Sequence, residues 1–169
     1  MENQKETESP KASSVLDSED IVRILHPEWI VDGKLQLTAF ALQPGETYIS
    51  VNRPSIDSYA DDICQFLTKH TTYLYRDNCY SHAVLSVKDV RSIHVDIDGT
   101  PLTVDVEVKA RSLHTKSHAG IFTLLEGRNV KTGKVIQIKN QEAGVSSDDI
   151  LLDVRLALLR KAVKEECIL

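Results

Sequence analysis

Between residues 102 and 109 the apolar side chains fall on every second position, with Leu102, Val104, Val106 and Val108 alternating against Thr103, Asp105, Glu107 and Lys109. That period belongs to an extended strand with one buried face, and a helix would scatter the same residues around its axis. A strand of this kind needs neighbours, and the chain offers strand-like runs at 83–87, 94–97, 121–125 and 135–138. Asp98-Gly99-Thr100-Pro101 is a turn that makes 94–97 and 102–108 a hairpin, and Gly133 suits the turn of a second hairpin between 121–125 and 135–138. Earlier in the chain, Leu35, Leu37, Ala39 and Ala41 alternate with Lys34, Gln36, Thr38 and Phe40 after the turn residues Asp32-Gly33. They predict a strand ending at Pro44-Gly45, with 48–51 as its hairpin neighbour. Residues 21–25 fit a strand or a single helical turn, closed by His26-Pro27 because the residue before proline is pushed out of the helical region.

Two segments change period. Ile56, Tyr59, Ala60, Ile63, Phe66 and Leu67 recur at three and four residue steps, predicting a helix from Ser55 to near His70 with Ser55 or Asp57 as N-cap. Leu151, Leu152, Leu156, Leu158, Leu159, Ala162 and Val163 share one broad helical face, so a second helix is expected over 147–165, with Ser146 and Asp149 imitating a capping box. Arg155 projects from within that apolar arc, as a snorkelling side chain or as the partner of a carboxylate. Short strands with a middle and a terminal helix make an α+β fold with a mostly antiparallel sheet.

The 169 residues suit one domain, and no run approaches the length of a membrane span. Residues 1–18 are polar and acidic, which predicts a disordered tail ahead of a domain over 19–169. The polar N-terminus and three scattered cysteines, Cys64, Cys79 and Cys167, point to a cytoplasmic chain with reduced thiols. The net charge of −5 is unevenly spread: seven basic residues face one acid over 109–139, a local +6, while residues 1–20 sum to −4. Nucleic acid is therefore a conceivable partner through 109–139, although only Phe122 offers a stacking ring there.

Three chemistries can be weighed. Asp96 and Asp98 followed by Glu107 and Lys109 resemble the strand pattern of PD-(D/E)xK nucleases, in which two carboxylates, here Asp96 and Glu107, hold Mg²⁺ while the lysine activates water. An outward strand face of Asp, Glu and Lys is equally what a solvated hairpin presents. His114 and His118 stand four apart, but in a loop entering a strand, which disfavours zinc. Ser81-His82 and Ser117-His118 place serine beside histidine, yet adjacent residues do not form a nucleophile–base pair and no Gly-x-Ser-x-Gly elbow occurs, so the sequence argues against serine hydrolysis. The phosphate-cradling GxGxxG and P-loop patterns are absent.

His26-Pro27, Asp32-Gly33, Thr38-Ala39-Phe40, Ile49-Ser50-Val51-Asn52-Arg53, Val87-Lys88-Asp89-Val90-Arg91-Ser92-Ile93 and Ser117-His118-Ala119-Gly120-Ile121 together resemble a family of small uncharacterised bacterial proteins across residues 23–121. The chain departs from that pattern at Ile49, where leucine is commoner, and over 105–109, where proline-rich sequence is commoner. The resemblance implies a shared fold and site and brings no activity with it. Arg23 followed by Ser50 is also similar, at fold level, to ADP-ribosyltransferase-like proteins, where an arginine and a serine-bearing strand contact NAD; Glu126 and Glu142 are candidates by order for the glutamate.

The sequence thus predicts a polar site of His26, Ser50, Asn52, Arg53 and His118, because pockets gather their directional groups at the ends of apolar strands. The expected role is a binding or accessory module for a polar or anionic ligand or a protein partner. A Mg²⁺-dependent nuclease and an NAD-handling transferase are the alternatives.

Overall fold

The computed structural model describes residues 14–112, 115–138 and 147–169, and these form an α+β fold in which every strand pairing is antiparallel. Strand β1 (Asp20–Leu25) settles the 21–25 ambiguity. It ends at His26, whose Nδ1 accepts the Glu28 N–H at 3.2 Å and so caps a 3₁₀ turn, Pro27–Trp29. Strands β2 (Ile30–Val31) and β3 (Lys34–Leu35) form a hairpin round Asp32-Gly33, both at positive φ as a two-residue loop demands.

The strand predicted over 35–41 stops at Leu35. Leu37–Phe40 is a 3₁₀ turn that buries the adjacent residues Ala39 and Phe40, which a half-exposed strand would send to opposite faces. Its supposed hairpin partner, β4 (Ile49–Asn52), pairs elsewhere, with β1 through Val22 opposite Asn52 and with β9 (His118–Phe122).

Helix α1 (Tyr59–Lys69) starts later than predicted, after Ser58, because the Ser55 hydroxyl is drawn to the Glu19 carboxylate at 3.0 Å. Its Ile63 and Leu67 bury against Ile24 with Tyr59 and Phe66 alongside, so the helix covers one face of β1. Strand β5 (Cys79–Ser86) leads into a short helix that periodicity did not reveal, α2 (Val87–Arg91), capped by Ser86 and buried through Val87 and Val90.

The hairpin of β6 (His94–Asp96) and β7 (Leu102–Asp105) forms as expected. The alternating run is nevertheless divided, since the chain leaves that hairpin at Val106 and β8 (Glu107–Ala110) joins β9 instead. The second hairpin is formed by β10 (Glu126–Asn129) and β11 (Val135–Gln137), not by 121–125; Thr123 takes a φ of 64° and ends β9 there. Helix α3 (Ser147–Lys161) buries Ile150, Leu151, Val154 and Leu158, leaves Leu152 exposed, and stops before 165. Residues 163–168 are strand β12 (Val163–Ile168), which pairs over its whole length with residues 79–84 of β5, so an open ladder outweighs the helical preference of Lys-Glu-Glu. Ser146 lies outside the described residues.

The strands assemble as a six-stranded sheet, β12-β5-β1-β4-β9-β8, and a four-stranded sheet, β11-β10-β7-β6. One continuous core joins them through Ile21, Leu25, Phe40, Leu85, Val104, Ile121 and Leu158. The structured part begins before residue 19: Val15 is buried, and Arg53 donates to the Ser14 carbonyl at 3.0 Å. This corrects the tail boundary at 18.

Candidate functional site

Pairing between β1 and β4 is confined to Val22 and Asn52, after which the two strands separate. Arg23 fills the gap. Its Nε donates to the Ala39 carbonyl at 2.5 Å and its Nη1 to the Ser50 carbonyl at 2.8 Å, while the Trp29 ring lies 4.8 Å from the guanidinium carbon. Burial pulls this group down to about 10, against the smaller opposing influence of Tyr73 and Glu46, so it remains a cation at neutral pH. Among the described residues no carboxylate lies within ion-pair distance of it.

Arg23 borders a cleft of about 700 Å³ between the six-stranded sheet and α1. Trp29, Phe66 and Tyr73 line one part of it and Tyr48 another; Lys69 and His70 add basic groups, Glu46 and Asp62 acidic ones. The aromatic wall is internally packed, with the Tyr73 ring edge-on to Trp29 at 6.1 Å and to Phe66 at 5.0 Å. Tyr48 stacks on Phe122 at 4.7 Å, and the two rings cover Gly120, where an added Cβ would fall 2.5 Å from the Tyr48 ring.

Three of the five predicted site residues, Ser50, Asn52 and His118, line this cleft. Antiparallel pairing of β4 with β9 sets Asn52 opposite His118, and Ser50 Oγ reaches His118 Nε2 at 2.6 Å. His118 Nδ1 lies 3.1 Å from the Arg111 carbonyl. A carbonyl only accepts, so Nδ1 carries the proton, and in the neutral ring Nε2 accepts from the Ser50 hydroxyl. Asn52 Nδ2 donates to Ser117 Oγ at 3.0 Å, and the Ser117 N–H donates to Asp62 at 3.1 Å. Ser117 is therefore a buried spacer between sheet and helix.

The other two diverge. Arg53 is fully buried, pointing to the Glu19 carboxylate at 2.7 Å and away from the cleft, which corrects its assignment as a ligand contact. His26 backs the wall, its ring 5.1 Å from Tyr73 and 6.0 Å from Trp29, and is not itself a lining residue.

The nuclease set is not gathered into one site. Asp96 stands opposite Thr103 in the four-stranded sheet, whereas Glu107 opens β8 in the six-stranded sheet, opposite Phe122. Asp98 lies in the turn between β6 and β7. The Glu107 carboxylate receives Arg91 Nε at 2.5 Å, and Lys109 sits 5.8 Å from the Phe122 ring. No cluster of three His, Cys, Asp or Glu side chains fit for a metal occurs among the described residues, so the Asp96–Glu107 pairing around Mg²⁺ has no support in the geometry. Of the basic segment, Arg128 is paired with Asp105 at 2.6 Å and Arg111 lies over Tyr48 at 5.1 Å. His114 and Glu142 fall outside the described residues, and Glu126 is on β10, away from the cleft lining. Arg155 has no carboxylate in ion-pair contact among the described residues.

Periodicity did not find Trp29, Glu46, Tyr73 or Lys69, because they come from turns and a helix end. The available clue was the concentration of aromatic residues and histidine over 66–75 beside the single tryptophan. No helix among the described residues is long and apolar enough to cross a membrane. No family model, no curated protein and no solved structure matches the chain.

Proposed function

We propose that this chain is a binding module whose cleft takes a small anionic ligand carrying a planar group. The observation that carries the reading is Arg23, a cation held by two backbone carbonyls and the Trp29 face, bordering a cleft with no carboxylate in ion-pair contact among the described residues. Trp29, Tyr73 and Tyr48 provide flat apolar surface for the planar part, and Lys69 a further positive charge. Isothermal titration with AMP, adenosine and inorganic phosphate tests it. AMP should bind more tightly than either fragment, and Arg23→Met should weaken AMP by about tenfold or more, equivalent to roughly 1.4 kcal/mol. No AMP binding, or equal binding by the variant, ends the proposal.

A second reading, an NAD-handling transferase, is favoured by one contact: Arg23 and Ser50, on neighbouring strands, meet at 2.8 Å on the same cleft. Glu46 is a glutamate lining that cleft, in place of Glu126. Release of nicotinamide from NAD⁺, lost in Glu46→Gln, is the expected result; no release counts against it.

A further inference from the structure

The structure assigns Ser50 as a nucleophile activated by His118, and we infer that the cleft hydrolyses a small carboxylic ester. This rests on the ligand-binding reading of the same cleft and deepens it to a reaction. Adjacency in sequence pairs His118 with Ser117, which is buried and bonded to Asn52 and Asp62. The β4–β9 ladder instead delivers an exposed serine, Ser50, to Nε2 at 2.6 Å. The other ring nitrogen is turned to the Arg111 carbonyl, and that segment is fixed in return by the Arg111 N–H donating to the His118 carbonyl at 2.8 Å. Nucleophile, base and an acceptor that orients the base are thus in sequence, with a backbone carbonyl in the third place.

Both side chains line the cleft, so an ester carbonyl can reach them. Ser50 Oγ bonds to the carbonyl carbon as its proton passes to His118 Nε2. The bond from that carbon to the leaving oxygen then breaks, and the proton goes to the departing alkoxide. Water attacks the acyl-serine, gives its proton to His118, and releases the carboxylic acid with Ser50 reprotonated. Arg23, tied to the Ser50 carbonyl, supplies positive charge on the same wall for the transient oxyanion.

The test treats the full chain with a fluorophosphonate probe and locates the adduct by peptide mass spectrometry. The expected result is one adduct, on Ser50, formed about 100-fold more slowly in His118→Asn. No adduct at Ser50 under saturating probe, or an unchanged rate in that variant, overturns the inference. Should His118→Asn not fold, Ser50→Cys decides: the introduced thiol should react with iodoacetamide at neutral pH about tenfold faster than the exposed Cys64 of the same chain, and an equal or slower rate overturns the dyad. An adduct without AMP binding supports the dyad and removes the planar-anion reading. AMP binding without an adduct does the reverse.

Discussion

Arg53 and Glu19 form a two-point ion pair inside the protein, Nη2 to Oε1 at 2.7 Å and Nε to Oε2 at 3.1 Å, with the arginine side chain wholly buried. The pair ties the entry to β1 to the exit of β4, and the Ser55 hydroxyl at 3.0 Å and the Leu16 N–H at 3.4 Å also donate to the carboxylate. Removing one member leaves a charge without its counterpart in a place water barely reaches. Arg53→Met is therefore expected to destabilise the fold by about 3–5 kcal/mol, measured by urea unfolding. A change below about 1 kcal/mol would show that the pair is not structural.

Acid should weaken the protein through two carboxylates. Burial alone would raise Glu19, but hydrogen bonds from Arg53 and Ser55 and the guanidinium charge outweigh it and hold the carboxyl below its ordinary value. Asp105 is likewise lowered, chiefly by the hydrogen bond from Arg128 against the opposing effect of burial, with His94 adding to the lowering. A carboxylate depressed in the folded state contributes stability above its unfolded value and loses it as pH falls through the folded one. Unfolding free energy should hence drop below roughly pH 4, and Glu19→Gln should flatten that drop. A slope unchanged in the variant refutes the assignment.

Gly120 matters for closeness of approach, not for an unusual φ. A methyl group there would meet the Tyr48 ring at 2.5 Å and the Phe122 ring at 2.6 Å, so the stacked pair must move off β9. Gly120→Ala is expected to cost about 1–3 kcal/mol and to change near-ultraviolet circular dichroism. A variant as stable as the parent, with an identical aromatic spectrum, contradicts this.

Helix α1 depends on Leu67, which is fully buried in a small cluster with Ile24 and Ile63. Leu67→Ala should lose about 2–5 kcal/mol. Because Phe66 and Lys69 on the same helix line the cleft, amide exchange in α1 should accelerate more than in β5. Equal acceleration in both would mean that the helix does not open on its own.

Thiol chemistry should separate the cysteines. Burial raises the Cys167 thiol; the hydrogen bond with Tyr80 works the other way, and the charge of Glu165 raises it again. Cys64 is exposed. With a disulfide reagent at pH 8, Cys64 is expected to react first and Cys167 about tenfold later or more. The reverse order would contradict the placement of Cys167 between Tyr80 and His82.

What could be read in the sequence was whatever is written locally. The Asp32-Gly33 and Asp98-Gly99 turns, the α1 periodicity and the alternation from Leu102 all reappear, because each depends on neighbours a few residues away. Segments whose state is decided by distant partners were misread. Residues 163–168 look helical until β5 offers a ladder, and Phe40 looks like the outer face of a strand until it is seen buried in a turn. The same division holds for the site. Ser50, Asn52 and His118 were selected from two separate strand ends and meet through strand register, whereas Arg53, chosen by the same rule, turns inward because Glu19 waits behind it. The sequence argues against Ser117 as the partner of His118, and Ser117 indeed bonds to Asn52, while strand register brings the distant Ser50 to the ring.

The place of β1 in the sheet also bears on how the chain reaches its native state. The first strand among the described residues lies in the middle of the six-stranded sheet, with Asp20 opposite Ser86 and Val22 opposite Asn52. β4 meets it only at Val22, so its six-residue ladder must wait until β5 is made, and the outer ladder must wait for β12. Closing such separated pairs costs chain entropy before contacts repay it. Refolding should accordingly be slow for a protein of this size, in the millisecond-to-second range typical of non-local sheets. Ile24 on β1 can be covered by α1 once residues 59–69 are made, whereas the outer edge of β5 stays unpaired until β12 forms the last ladder.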